Sequence, residues 1–177
     1  MKKVSIIIAC YNHALFLEQA IKSALNQDYL NLEIIVANDG STDNSLEMAK
    51  IFGDKIKVIS HENQGVVFAR NNAIAQSAGD YILPLDADDY LASSDVVSAM
   101  IAALENEKVD LVFGNYQCFG ENNNLVSPKN LGIAELLIRC FISATSLFKR
   151  ELFDKIGGYA EYMKNGHEDW EIGRAHV

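Results

Sequence analysis

Apolar positions in the first two thirds of this chain follow two alternating rhythms. Val4 to Ala9, Leu32 to Ala37, Ile56 to Ser60, Tyr81 to Leu85 and Val109 to Tyr116 are short runs rich in β-branched and aliphatic residues. Such near-continuous runs predict strands buried on both faces. Between them lie stretches with helical spacing. Ala14 to Gln27 places Leu17, Ala20, Ile21, Ala24 and Leu25 on one face, and Ser45 to Phe52, Val66 to Ser77 and Ser94 to Asn106 read as further helices. This alternation predicts right-handed crossovers and an α/β fold, a Rossmann-like, mostly parallel sheet with helices on both faces in a single domain.

Beyond Tyr116 the pattern weakens. Phe119 to Lys129 is polar, with three consecutive asparagines, and predicts an exposed loop. A helix around Ile133 to Cys140 and a strand around Ala144 to Phe148 follow, and Gly157-Gly158 breaks the chain before a final loop.

Open parallel sheets bind ligands beyond the carboxyl ends of their strands. The chemically distinctive residues of this chain fall at those ends. Tyr11-Asn12 follows the first strand, and Asn38-Asp39-Gly40-Ser41 follows the second. The fourth runs into Asp86-Ala87-Asp88-Asp89, three carboxylates within four positions. Alone, that cluster reads as a solvated Asp-rich turn. At a strand end, its charge calls for a cation or a donor-rich ligand. An oxygen-only set suits a hard ion, Mg2+ or Mn2+, that also holds a phosphate.

The neighbouring candidates are individually weaker. Asp43 or Asn44 reads as the cap of the helix from Ser45. That leaves Asp39 free to accept a hydrogen bond from a base N–H such as uracil or guanine presents. Gly65 permits a tight entry into the helix carrying Arg70, which opposite an acidic cluster would act as a guanidinium clamp on a diphosphate. Gly166-His167-Glu168-Asp169-Trp170 reads either as a carboxylate aimed into a cleft as general base or as an acidic helix start.

Composition narrows the classes. The chain has 177 residues, 49% of them apolar, enough for one domain with a core. A net charge of −9 leaves no basic stripe for a nucleic-acid partner. Three cysteines without a CxxC pair predict reduced thiols acting as small buried hydrophobes. The four histidines show no HxxxH or HExxH spacing, which argues against zinc. His61 reads as a strand end. Neither GxGxxG after the first strand nor a P-loop is present, and no apolar segment reaches membrane length.

Four segments together, Ser5 to Asn12, Ile34 to Asp43, Asn63-Gln64-Gly65 with Ala69-Arg70-Asn71, and Leu85 to Asp89, resemble in order a family 2 glycosyltransferase of the GT-A fold. The resemblance runs from residue 4 to about 170. It implies inverting transfer of a sugar from a nucleoside diphosphate sugar, most often a UDP-sugar, to a hydroxyl of a saccharide or lipid-linked acceptor. Surface polysaccharide or glycolipid synthesis, in the cytoplasm or peripherally at the inner face of a membrane, is the implied setting. Carried over, Ala9 and Tyr11 would line or stack on the base, and Asp39 would hydrogen-bond it. Arg70 would contact the diphosphate and Asp86 the ribose or sugar. Asp88, with Asp89, would bind Mg2+ or Mn2+. Asp169 would be the general base, with Glu168 supporting it.

The chain departs from the family at its end. It stops where a further helical segment is expected, and it has no QxxRW motif, which argues against a processive synthase. Ile172 to Val177 is what ATC GGA AGA GCA CAC GTC encodes, the start of a common sequencing adapter. The expectation is therefore a catalytic domain over residues 1–170, incomplete at its end, and a read-through tail over 171–177. Two other functions fit parts of the pattern. One is a nucleotide-sugar binding fragment without turnover. The other is a sugar nucleotidyltransferase, whose glycine-rich, lysine-containing loop should follow the first strand, where this chain has Cys10-Tyr11-Asn12-His13.

Overall fold

A computed structural model describes residues 1–120, 122–128 and 142–162. Its main sheet has six strands: β1 (Val4–Cys10), β2 (Leu32–Asp39), β3 (Lys57–His61), β4 (Tyr81–Asp86), β5 (Leu111–Phe113) and β8 (Ser146–Lys149), in the order β3-β2-β1-β4-β8-β5. A two-stranded ribbon, β6 (Tyr116–Gln117) with β7 (Leu125–Val126), follows β5. The helices are α1 (Ala14–Leu25), α2 (Ser45–Lys50), α3 (Val66–Ala75), α4 (Val96–Asn106) and α5 (Arg150–Ile156), with a 3-10 turn at Gly53–Lys55.

The alternation of side chains along each strand divides the core in two. Ile6 and Ile8 of β1, Ile34 and Val36 of β2, and Leu83 and Leu85 of β4 pack against Leu17 and Ile21 of α1, Ala49 of α2 and Ile101 of α4. Ile7, Ile35 and Ile82 face the other way, onto Val67, Ala73 and Ile74 of α3 and Leu152 and Phe153 of α5. Helices on both faces explain why β1 reads as a near-continuous apolar run: all seven of its residues are buried, Ser5 included. At its centre, replacing an Ile by Ala would cost about 2–5 kcal/mol.

The expected sheet is mostly parallel, and β3-β2-β1-β4 is fully so. The other edge differs in detail. β8 inserts antiparallel between β4 and β5, so β4 and β5 run in the same direction without touching. The β4–β8 ladder joins only Tyr81 to Lys149 and Ile82 to Phe148. It stops before Pro84, which has no N–H to contribute. Val109 to Tyr116 is not one strand. Gly114 and Asn115 interrupt it, and the chain resumes as β6, paired with a β7 that lies inside the expected exposed loop. Helix α5, seven residues long, has no counterpart among the expected elements. The helix expected at Ile133 to Cys140 lies outside the described residues.

Candidate active site

The register of the sheet brings the sequence candidates to one edge. Ala9 on β1 lies level with Ala37 on β2 and with Asp86 on β4. Asp39 ends β2, level with His61 at the end of β3. The loops after β1, β2 and β4 thus leave the sheet side by side, at the switch point between β1 and β4.

The first two loops are tied together by side chains binding backbone. Asn12 adopts a left-handed conformation, φ 57°, which Asn tolerates better than most residues. Its Oδ1 accepts from Thr42 N at 2.8 Å, and its own N donates to Ser41 Oγ at 3.0 Å. The carboxylate of Asp43 accepts from Ala14 N at 3.0 Å and from Ser45 N at 2.9 Å, and so serves the starts of α1 and α2 together. The expected cap of α2 is therefore Asp43 and not Asn44, which forms no side-chain cap bond. Burial alone would raise the Asp43 carboxyl. Bonds from the Ser45 hydroxyl and from the backbone N–H groups of Ala14 and Ser45 outweigh it and hold the group below the usual carboxylate range.

Asp39 is 3% exposed. Its Oδ1 accepts from Gln64 N at 2.8 Å, and its Oδ2 accepts from Gly65 N at 2.9 Å and from Asn63 Nδ2 at 3.1 Å. His61 Nδ1 stands 3.3 Å from Oδ1. A buried carboxylate is sustainable because these donors compensate its desolvation. The chain enters α3 through Gly65 at φ 94° and ψ 162°, a conformation essentially reserved for glycine. Asp39 therefore fixes where α3 begins, and with it the position of Arg70.

Arg70 lies on the sheet-facing side of α3, 2% exposed. Its Nη2 donates to Asp86 Oδ1 at 2.6 Å, and its guanidinium sits 5.6 Å from the centre of the Tyr159 ring. Arg70 and Asp86 meet directly, whereas the sequence reading placed a diphosphate between the arginine and the cluster. Tyr159 is held in turn by Asn71, whose Nδ2 donates to Tyr159 O at 2.8 Å and whose Oδ1 accepts from Tyr159 N at 2.9 Å. Neither Tyr159 nor the clamp formed by Asn63 and Gln64 was assigned a role from sequence. The available signals were the glycine pair before Tyr159 and the run of amide side chains before Gly65.

The remaining carboxylates differ from Asp86. Asp88 is about half exposed, with His13 Nδ1 at 3.8 Å from its Oδ1. Asp89 is open to solvent at its surface, yet the surrounding protein desolvates its carboxyl, and Asp86 and Asp88 add repulsion, so its pKa is raised. Because Arg70 compensates Asp86, the charge of Asp88 and Asp89 matches one divalent cation. Among the described residues no three His, Cys, Asp or Glu side chains converge on one point. Two carboxylates with substrate phosphates and water to complete the shell is a usual arrangement for Mg2+, so these residues fit such an ion.

Tyr11 stands 47% exposed beyond β1. Cys10 is a buried free thiol whose pKa burial raises, as expected of a small hydrophobe, and Cys118 is free and partly buried. Glu168, Asp169 and residues 171–177 lie outside the described residues. A groove of about 460 Å³ at the opposite edge of the sheet, lined by Lys2, Asp80, Lys149 and Arg150 among others, does not compete with this site. There Arg150 is occupied by Gly79 O at 2.6 Å and Ile74 O at 3.2 Å, and Lys149 by Asp110 at 2.6 Å.

Comparison with known proteins agrees with this fold. A glycosyltransferase of Haemophilus influenzae, itself uncharacterised, is 39% identical over 130 residues, 71% of this chain and 52% of that protein. The structure of Staphylococcus aureus TarS (residues 1–349) in complex with UDP-GlcNAc superposes with a TM-score of 0.82 at 20% identity, over 98% of this chain and 53% of that one. Mannosyltransferase PcManGT from Pyrobaculum calidifontis, in complex with GDP-Man and Mn2+, gives 0.76 at 23% identity, over 97% and 50%. These two likenesses show the fold, GT-A. The chain spans about half the length of these three proteins. Residues 5–170 match the family described as Glycosyl transferase family 2, and this chain belongs to that family.

Proposed function

We propose that this glycosyltransferase uses the edge described above to hold a nucleoside diphosphate sugar, a UDP-sugar in the first instance, and transfers the sugar with inversion to an acceptor hydroxyl. The observation that carries this reading is the placing of a buried, donor-clamped Asp39 and the exposed Asp88 and Asp89 at the ends of β2 and β4, the two strands that flank β1. Family membership and the UDP-GlcNAc and GDP-Man bound to proteins of the same fold support it.

In this scheme Ala9 and Tyr11 form the floor for the base. Asp39 receives a base N–H in place of its longest contact, the 3.3 Å approach of His61. His61 gives it up at little cost, because its Nδ1 also lies 2.9 Å from Glu62 O. Asp86, oriented by Arg70, takes the ribose or sugar side, and the Arg70 charge lies just behind it toward the diphosphate. Asp88 and Asp89 would hold Mg2+ or Mn2+. What such an ion supplies when bound is positive charge against the diphosphate as it leaves.

The acceptor hydroxyl loses its proton to Asp169, supported by Glu168. A single displacement needs one base and no protein nucleophile. The proposed acceptor is a saccharide or lipid-linked saccharide of surface polysaccharide or glycolipid synthesis, met in the cytoplasm or at the inner face of a membrane. No helix among the described residues is long and apolar enough to cross a membrane.

The test is incubation with UDP-, GDP- and dTDP-sugars, Mn2+ and simple saccharide acceptors. Nucleoside diphosphate release and the anomeric proton of the product are followed by NMR. A product with the anomeric configuration opposite to that of the donor is expected. Retention of configuration refutes the displacement, and conversion of the NDP-sugar to nucleoside triphosphate and sugar 1-phosphate when pyrophosphate is added would indicate a nucleotidyltransferase.

A further inference from the structure

The turn carrying the carboxylates proposed to hold the metal runs directly into an aromatic residue, and the fold brings a second ring to it. Asp89 N closes the turn on Asp86 O at 3.0 Å, and Tyr90 follows. Phe119 comes from the β6–β7 connection, where Cys118 N donates to Asn124 O at 3.0 Å. The two ring centroids are 5.3 Å apart with 49° between their planes. Neither ring belongs to the two hydrophobic clusters that hold the helices to the sheet. Both are open to solvent, Tyr90 at 39% and Phe119 at 47%, and Tyr116 of β6 is exposed as well.

Their place along the sheet indicates what they face. Tyr11 and Asp39 stand at the ends of β1 and β2, and the carboxylates at the end of β4. β5 runs in the same direction as β4, so the β6–β7 ribbon leaves from the same edge. It does so on the side of the carboxylates away from the base-binding residues. Following the donor from base through diphosphate to sugar, the next group along that line belongs to the acceptor.

The geometry points to Tyr90 and Phe119 as an aromatic platform for a neutral pyranose ring of the acceptor, an inference that rests on the site being a sugar-transfer centre. The face of an aromatic ring is electronegative and attracts the axial C–H groups on one face of a pyranose, while the sugar hydroxyls stay with water and the polar rim. Asp88 and Asp89, the carboxylates that Arg70 leaves uncompensated, together with the donor diphosphate, disfavour an anionic sugar at that position.

Saturation-transfer NMR with methyl β-glucopyranoside, methyl α-mannopyranoside and methyl β-N-acetylglucosaminide as probes, and glycerol as a polyol without a ring, tests this. The wild-type chain is compared with Phe119→Leu and Tyr90→Leu, which keep apolar volume but remove the ring face, and UDP affinity with Mn2+ is measured on all three. The expected result is transfer to ring C–H protons of at least one pyranoside and none to glycerol. Each variant should weaken the pyranoside about tenfold while UDP affinity stays within about twofold. Pyranoside signals that survive both variants, or that never appear with the wild type, overturn the platform. Signals lost in the variants from a chain that binds none of UDP, GDP and dTDP in the presence of Mn2+ would leave the platform standing and refute the sugar-transfer reading.

Discussion

Nη2 of Arg70 donates to Oδ1 of Asp86 at 2.6 Å, with the arginine almost wholly buried and the aspartate side chain about one third exposed. The pair links α3 to the end of β4 and removes one of three crowded charges from the Asp86–Asp89 turn. Arg70→Ala would leave Asp86 uncompensated and a cavity beneath it. About 2–4 kcal/mol of stability should be lost. Arg70→Lys should recover less than half of this, because a point charge does not reproduce the guanidinium geometry. Chemical denaturation of the two variants, with Asp86→Asn to close a double-mutant cycle, checks it. Additive effects would mean the contact is not energetically coupled.

Much of the sheet was legible in the sequence because strands buried on both faces leave near-continuous apolar runs. The candidate site was legible because its side chains follow those runs directly: Tyr11 after β1, Asp39 ending β2, Asp86 ending β4. The antiparallel β8 was not, since four residues such as Ser146–Lys149 carry no mark of their direction. Nor was the direct pairing of Arg70 with one of the aspartates. Which one meets Arg70 depends on how α3 is rotated against the sheet. That rotation depends on Asp39 clamping Gln64 and Gly65, a contact spanning 25 and 26 residues.

Asp39→Asn replaces a carboxylate holding two backbone N–H groups by an amide with one acceptor. About 2 kcal/mol of stability should be lost. Amide exchange should accelerate selectively at Gln64 and Gly65, which hydrogen-exchange NMR resolves. Uniform acceleration across β1 and β2 would instead mean that Asp39 holds the sheet and not the loop.

Gly65→Ala forces a side chain into φ 94°. No atom lies within 4 Å of the position a Cβ would take, so the cost is backbone strain and not collision. A loss of about 1–3 kcal/mol is expected in urea unfolding. Gly40→Ala should cost more, because there φ is 69° and the Cβ would also lie 2.6 Å from Asn63 N. The reverse order would contradict the structure at these turns.

Asp43 ties the first two loops together in its ionised form, with its pKa lowered by the Ser45 hydroxyl and the backbone of Ala14 and Ser45 acting against its burial. A depressed folded pKa contributes stability that is full above the unfolded value of about 3.9 and is lost as pH falls through the folded value. Asp43→Asn should therefore be less stable than wild type at neutral pH, by about 1–2 kcal/mol. The gap should close as pH drops below about 4. Thermal unfolding of both proteins across that range gives the answer, and a gap independent of pH would show that the carboxylate's charge plays no part.

The central claim is that Asp88 and Asp89, left over once Arg70 has compensated Asp86, hold a divalent ion together with a nucleoside diphosphate sugar. Calorimetric titration of UDP-, GDP- and dTDP-sugars, with and without Mn2+, into wild-type chain and Asp88→Ala tests it most directly. At least one donor should bind the wild type with an affinity raised about tenfold or more by Mn2+, and Asp88→Ala should abolish that increment while its unfolding curve stays close to wild type. Donor binding indifferent to Mn2+, or a Mn2+ increment that survives Asp88→Ala, would contradict it.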